Sequence, residues 1–286
     1  MDVTALSLVL VAAVLHAAWN FAAKRVRRGG PLFVWSYYTA AGVLMLPALV
    51  VAVATTNARP QWSWLVAICV TAVLHIGYGV VLQRGYDVGD LSLVYPLARG
   101  TGPLLAVVLA VLLLDERPGP IGLAGAGLII IGVLTISAGR AATRRSVRAG
   151  IGYGVATGAL IAAYTLGDAY SVAEIGIPPL IYFGAASLLQ SLLLTPHALR
   201  HREQVRLLWA ESRREIWIVA LLSPAAYLLV LFAMRLAPVS LVAPAREVSI
   251  VLSGLAAWLV LGEAGAPRRL VGSAIVLAGI VAIALA

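Results

Sequence analysis

The most constraining feature of this chain is a series of ten apolar runs, near 4–23, 31–54, 62–83, 91–114, 120–139, 150–170, 178–199, 215–235, 239–261 and 268–286. Each can cross a hydrocarbon core of about 30 Å as a helix of roughly 18 residues or more. In lipid, every backbone N–H and C=O must find a partner within the chain, which restricts apolar runs of this length to helices. The 286 residues are 62% hydrophobic and 12% charged, with a mean hydropathy of +0.97, far from the composition of a water-soluble domain. The connections are short and leave no room for a soluble domain. The longest, RHREQVRLLWAESRR at 200–214, reads as a short surface helix. The chain begins MDVTALS and its first positive charges follow the first run, so that run is expected to persist as a helix and not as a cleaved signal. The single cysteine, Cys69, allows no internal disulfide or cysteine metal cluster and reads as a packing residue.

The net charge of +9 does not point to nucleic acid, because its distribution is that of membrane loops. Odd-numbered connections carry 16 Lys and Arg residues, among them Lys24, Arg25, Arg140, Arg144, Arg206 and Arg213, whereas even-numbered connections hold only Arg59, Arg117 and Arg235. The positive-inside rule then places odd connections in the cytoplasm and both termini outside, in the cytoplasmic membrane of a bacterium. The remaining two, Arg99 and Arg246, lie inside spans.

An internal repeat organises the spans. SLVYPLAR at 92–99 matches SLVAPAR at 240–246 with one residue deleted, and beyond it a constant offset of 147 sets Glu116 on Glu263, Pro120 on Pro267, Gly125 on Gly272 and Gly132 on Gly279. Five spans plus five means that the second copy enters the membrane from the opposite side, giving two halves related by a pseudo-two-fold axis in the membrane plane. The expected fold is an all-α membrane protein with ten transmembrane helices in two inverted five-helix repeats: residues 1–139, a basic connecting loop at 140–149, and residues 150–286. The glycines seven apart in spans 5 and 10 place small residues on one helix face for close helix approach. Pro96 and Pro244, early in spans 4 and 9, can bend the chain beside the arginines that follow.

The stretches LLLDERPGPIGLAGAGLIIIGV (112–133) and LVLGEAGAPRRLVGSAIVLAGI (259–280) resemble the end of the repeat in the EamA family of the drug/metabolite transporter superfamily, and the resemblance covers nearly the whole chain. It implies a ten-helix bundle that moves a small metabolite, often outward, through a central cavity lined by helices 1, 3, 4, 6, 8 and 9. LHAAWNFAAK in the first span is similar to the family's opening aromatic-Asn-Lys pattern, and its HAxWN start resembles a branch of permeases associated with phosphonate use. Many members of the superfamily are placed with both termini in the cytoplasm, opposite to the charge count here; the physical reading is retained. On the cavity helices that the resemblance assigns lie Trp19, Asn20, Tyr78, Tyr95, Tyr164 and Tyr227, each except Asn20 joining an aromatic body to a polar tip. Trp62, Trp64 and Trp217 flank loops and read as aromatic anchors at the membrane surface.

Ionisable residues inside spans cost at least a few kcal/mol and so face a cavity or a partner. Arg99 and Arg246 lie about 10–12 Å from opposite entry faces, which sets both near the midplane. Two arginines against Glu247 leave an excess of positive charge, and guanidinium forks suit carboxylate or phosphoryl groups. The structural alternative makes Glu247 the counter-ion of Arg99 across the repeat interface. Adjacent helical residues diverge, so Glu247 is a poor partner for Arg246. His16, His75 and Glu247 are candidates for carrying coupled protons. Asp168, near the outer end of span 6, reads as a gate or a solvated end residue, and Glu116 and Glu263 as helix-terminal or loop-organising groups.

No GxSxG, HExxH, cysteine pair or phosphate-cradling loop is present, so an enzyme is not expected. No cofactor and no metal is implied, although His16 and His75 could hold a metal with a glutamate if their helices converged. These residues point to a secondary transporter of a small polar metabolite with an anionic group, such as an amino acid, organic acid or phosphonate, with export favoured over import. The alternative is a flippase or accessory subunit for the anionic head group of a lipid carrier. Its partners are the small-molecule substrate, the bilayer and coupled protons; monomer and homodimer stay open.

Overall fold

Long uncharged runs close their own backbone hydrogen bonds, and the computed structural model is accordingly helical, describing residues 1–23, 25–26, 30–56, 60–88, 91–137, 144–252 and 266–286. Among these, the first repeat supplies α1 (Val3–Ala23), α2 (Pro31–Thr55), α3 (Trp62–Val88), α4 (Leu91–Leu113) and α5 (Gly119–Ser137). The second supplies α6 (Arg144–Ala173), α7 (Pro179–Arg200), α8 (Arg202–Met234), α9 (Val239–Ala245) and α10 (Ala266–Leu285). Six described helices are long and apolar enough to cross a membrane, and shorter apolar stretches lie in α4, α5 and α10. Prolines stand at helix starts, where the missing N–H has no intrahelical role: Pro31 opens α2, and Pro178 and Pro238 precede α7 and α9.

Three boundaries differ from the sequence expectation. Residues 144–149, expected as loop, belong to α6, since nothing in RRSVRA up to Gly150 breaks a helix. The 200–214 connection is helical and continuous with α8 except for a kink at Ser212, where φ is −131° and ψ is 26°. The ninth span, expected to be continuous, breaks: α9 ends at Ala245, Arg246 and Glu247 form a turn, and the chain is helical again over 248–252. Pro244 supplies no N–H and crowds the turn before it. Beyond it the bonds tighten to three-residue closures, Glu247 N–H to Pro244 O at 2.9 Å and Ile250 N–H to Glu247 O at 2.9 Å. The second copy is one residue shorter between proline and arginine, a phase change of about 100° on a helix, and the break falls there. α4, with the longer spacing, stays helical through Arg99.

Helix pairing exchanges the two halves. α1 packs on α8 and α6 on α3, which are first-to-third contacts in each direction, while α2 meets α7, α4 meets α9 and α5 meets α10, each against its own counterpart. Many large apolar side chains point outward, as with Val50 at 59%, Leu112 at 69% and Leu221 at 60% exposed, while charged and hydroxyl groups such as Arg246, Glu247, Asp168 and Thr71 are buried inside. That reverses the layout of a water-soluble bundle and fits a hydrocarbon surround. Trp62 and Trp217 lie on the exposed surface, whereas Trp64, expected there too, is packed in the core. Cys69 is exposed on the outer face of α3 and is not a core packing residue.

Between α2 and α7 the contact is partly polar, with Trp35 Nε1 donating to Thr195 Oγ1 at 3.0 Å and the Thr39 and Ser191 hydroxyls 2.6 Å apart. α5 and α10 meet glycine to backbone. A Cβ on Gly125 would lie 2.8 Å from Gly279 O, and one on Gly132 would lie 2.7 Å from Gly272 O. No side chain fits there without separating the helices. Gly125→Val is therefore expected to lower stability by roughly 1–3 kcal/mol, read as a lower melting temperature of the purified protein, while Gly127→Val, where a Cβ meets open space, leaves it unchanged.

Candidate functional site

The turn at Arg246 and Glu247 delivers two charges to the interior of the bundle. Glu247, 1% exposed, receives Arg99 Nη1 from α4 at 3.3 Å, an ion pair that joins the first repeat to the second. Arg99 Nη2 lies 3.0 Å from His16 Nε2 on α1. The His16 ring in turn meets Trp19 edge-on with centroids 4.8 Å apart. Two helices, α1 and α4, and the turn after α9 thus converge on one guanidinium. Asn20 bends back to donate its amide to His16 O at 2.8 Å, which fastens it to its own helix and leaves it out of this polar contact.

A second constellation stands beside the first. His75 on α3 stacks on Tyr164 of α6 at 4.0 Å and meets the edge of Tyr227 of α8 at 5.5 Å, while Tyr78 abuts Tyr164 at 5.8 Å. His75 Nδ1 is within 3.1 Å of Thr71 Oγ1 and 2.9 Å of Thr71 O. Thr71 Oγ1 donates to Asp168 Oδ1 at 2.6 Å, as does Tyr182 OH at 2.6 Å, and Tyr227 OH bonds Asp168 Oδ2. Asp168 is fully buried. It is not a solvated end residue, because three helices other than its own supply hydroxyls to it. Tyr164 joins the two constellations: Arg246, Arg99, Glu247 and Asp168 are all its electrostatic neighbours.

Arg246 is the exception to this pairing. It is 6% exposed, its Nε is buried without a partner, and no ion pair to it exists among the described residues. Glu247 Oε2 and Trp19 Nε1 are likewise buried and unpartnered. The electrostatic neighbours of Arg246 include Tyr164, Glu247 and Tyr227, yet among the described residues no carboxylate contacts it directly, which leaves part of a buried guanidinium open to a further partner.

Glu116 shows how the repeats are tied at their ends. Asp115 adopts a positive φ of 52° after α4 and turns the chain. The Glu116 carboxylate then accepts Val239 N–H at 2.7 Å and Ser240 N–H at 2.8 Å, capping the start of α9 in the other repeat. Its counterpart Glu263 lies outside the described residues, as does the side chain of Tyr95. A helix-terminal carboxylate, expected from sequence, here holds the helix whose far end carries Arg246.

Of the residues singled out from sequence, the structure brings together His16, Trp19, Arg99 and Glu247 in one group and His75, Tyr78, Tyr164 and Tyr227 in the other, with Arg246 between them electrostatically. Thr71, Asp168 and Tyr182 were missed as site residues. For Asp168 the signal was present: a lone carboxylate in an apolar span obeys the same cost argument as the arginines. Counting it balances the two arginines with two carboxylates and removes the expected excess of positive charge. Among the described residues no three His, Cys, Asp or Glu side chains come together. Single loss of Arg99 or Glu247 as Gln is expected to lower stability by about 3–5 kcal/mol, because the partner is left buried and charged. The double variant should recover most of that loss, and additive losses in a melting-temperature cycle would show that the two do not act as a pair.

With this geometry in view, comparison with known proteins is informative. A search of curated proteins finds no match. One solved crystal structure superposes with a TM-score of 0.79 over 100% of this chain and 98% of its own, at 16% identity, a likeness that speaks to the fold. The profile of the EamA-like transporter family matches twice, over residues 3–138 and 148–285, which takes in both halves and the polar residues of each. The protein is thus a multi-pass membrane protein that belongs to the EamA-like transporter family.

Proposed function

We propose that this protein is a secondary transporter of a small polar metabolite with an anionic group, such as an amino acid, organic acid or phosphonate, and that Arg246 receives that group. The observation that carries the reading is the buried Arg246 guanidinium without an ionic partner, beside a second unpartnered donor at Trp19 Nε1. A planar fork in a low-dielectric setting favours a carboxylate or phosphoryl group over water. Arg99, held by Glu247 and His16, supplies the second guanidinium. Glu247, whose Oε2 is unpartnered, limits the positive charge or takes up a proton as substrate leaves, with His16 and His75 as further proton carriers. The two five-helix halves, 1–139 and 150–286, run antiparallel through the membrane and alternate access to the site by rocking about their shared contacts. Export is the direction that the family resemblance favours.

A second reading keeps the fold and makes the cargo the anionic head group of a lipid carrier. It is supported by a cavity of about 320 Å³ between α3 and α6, whose lining includes the outward-facing Val66, Val70 and Tyr170 together with Tyr164 and Asp168. Such a cavity gives a lipid tail a place beside the polar groups.

The test is a thermal-shift screen of the purified protein against anionic metabolites and short-chain anionic lipids, followed by flux in proteoliposomes. Arg246→Gln should erase the ligand shift and nearly abolish flux, yet lower the melting temperature less than Arg99→Gln, since it breaks no direct ion pair among the described residues. Arg246→Lys should still weaken binding, because an ammonium lacks the planar fork. A stable Arg246→Gln variant with normal flux sinks the anion site, and a shift seen only with lipids selects the second reading.

Orientation is a separate expectation. The Met1 amino group lies 3.2 Å from Ile283 O, so both ends of the chain sit at the same end of the bundle. The lysine and arginine asymmetry assigns that end to the outside of the cytoplasmic membrane. A reporter fused after Ala286 should then be active only outside the cytoplasm; activity only inside reverses the topology.

A further inference from the structure

Four helices converge on Asp168 in a way that the proposed anion site does not use. Thr71 comes from α3, Tyr182 from α7 and Tyr227 from α8, and all three hydroxyls bond its two carboxylate oxygens. Five oxygen atoms from four residues therefore meet at a fully buried point. No contact ion pair to Asp168 exists among the described residues, and the groups that bond its carboxylate are neutral hydroxyls. The same groups, Thr71, Asp168 and Tyr182, form part of the wall of the cavity of about 320 Å³ between α3 and α6, and the buried Ser63 hydroxyl on that wall has no partner.

We infer that this cluster is a binding site for a monovalent hard cation, Na⁺, held by Asp168 and the hydroxyl oxygens of Thr71, Tyr182 and Tyr227. Hard cations take carboxylate and other oxygen ligands in preference to nitrogen or sulfur. A hydroxyl is donor and acceptor at once, so each group that now donates to Asp168 can rotate and present a lone pair to an ion without moving its helix. The charge balance supports the assignment. Arg99, Arg246, Glu247 and Asp168 sum to zero, so a bound Na⁺ leaves the buried region one charge positive, the condition under which an anion at Arg246 is favoured. Tyr227 connects the two places: it bonds Asp168, its ring meets His75, and Arg246 is among its electrostatic neighbours. The cation site itself stands on its own oxygens and does not require the anion reading to be correct.

The test uses the full-length purified protein with no substrate. Its melting temperature is followed as NaCl replaces choline chloride at constant ionic strength, with KCl as a second series, so that general screening is held fixed. The expected result is a saturable rise with Na⁺ that choline does not give and K⁺ gives only at higher concentration. Asp168→Asn should remove the rise. Where that variant fails to fold, Tyr182→Phe and Thr71→Val each delete one oxygen and should raise the half-saturating Na⁺ concentration by about tenfold or more, no less than the loss on removing an outer-shell partner of a metal site. Equal melting curves in the three salts, or a Na⁺ rise undiminished in all of these variants, overturn the site. Arg246→Gln should keep the Na⁺ response, and its loss there, with the Asp168 cluster intact, would also overturn the assignment to these oxygens. Loss of the anion response with the Na⁺ response retained separates failure of one site from failure of the other.

Discussion

In a hydrocarbon surround each backbone N–H and C=O must be bonded within the chain, and the rest of this structure depends on how that demand is met and where it is relaxed. Nearly every described residue meets it by lying in a helix. The relaxation is local, at Arg246 and Glu247, where Pro244 withholds a donor and the chain closes with shorter bonds. Irregular backbone is tolerated at membrane depth where protein surrounds it, and residues 239–251 are buried throughout. The break costs little there, and it sends two adjacent side chains in different directions. Glu247 meets Arg99 directly, while Arg246 has Tyr164, Glu247 and Tyr227 as electrostatic neighbours and no contact ion pair among the described residues.

Several of the polar contacts that result run across the repeats, beside others within each half. Arg99 of the first half pairs with Glu247 of the second, Thr71 of the first bonds Asp168 of the second, and Glu116 of the first caps α9 of the second. Because lipid tails are as apolar as the helices' own leucines, burial alone gives the halves little reason to associate in a particular register. Directional contacts supply it. These contacts are few among the described residues, and each joins a residue of one half to a residue of the other. By contrast, α5 and α10 meet through glycines with no slack for a side chain.

Much of this was legible in the chain itself. The ten runs, the doubled SLV…P…AR motif and the offset of 147 gave the helical class and its two-repeat organisation, since apolar length and self-similarity are properties of sequence alone. Intramembrane charge likewise marked Arg99, Arg246 and Glu247, because the cost of burying a charge does not depend on knowing its neighbours. The aromatic residues were placed by the helices that the family resemblance assigns to the cavity, and the Arg99–Glu247 pair stood as the structural alternative to an anion site, because adjacent helical side chains diverge.

Tertiary structure decided the rest, for reasons that no local pattern carries. Which of two arginines would be paired depended on the break after α9, where a one-residue deletion meets a proline; periodicity alone reads that stretch as one straight span. The role of Asp168 depended on hydroxyls that come from residues 71, 182 and 227, far apart in sequence and brought to one point only by packing. Trp64 and Cys69 exchanged their expected places because the face a helix turns to lipid is chosen by its neighbours when the helix is apolar all round. Composition and spacing determined that this chain crosses a membrane as helices in two related halves with charge inside; the meeting of those halves determined which charges are satisfied and which are left available.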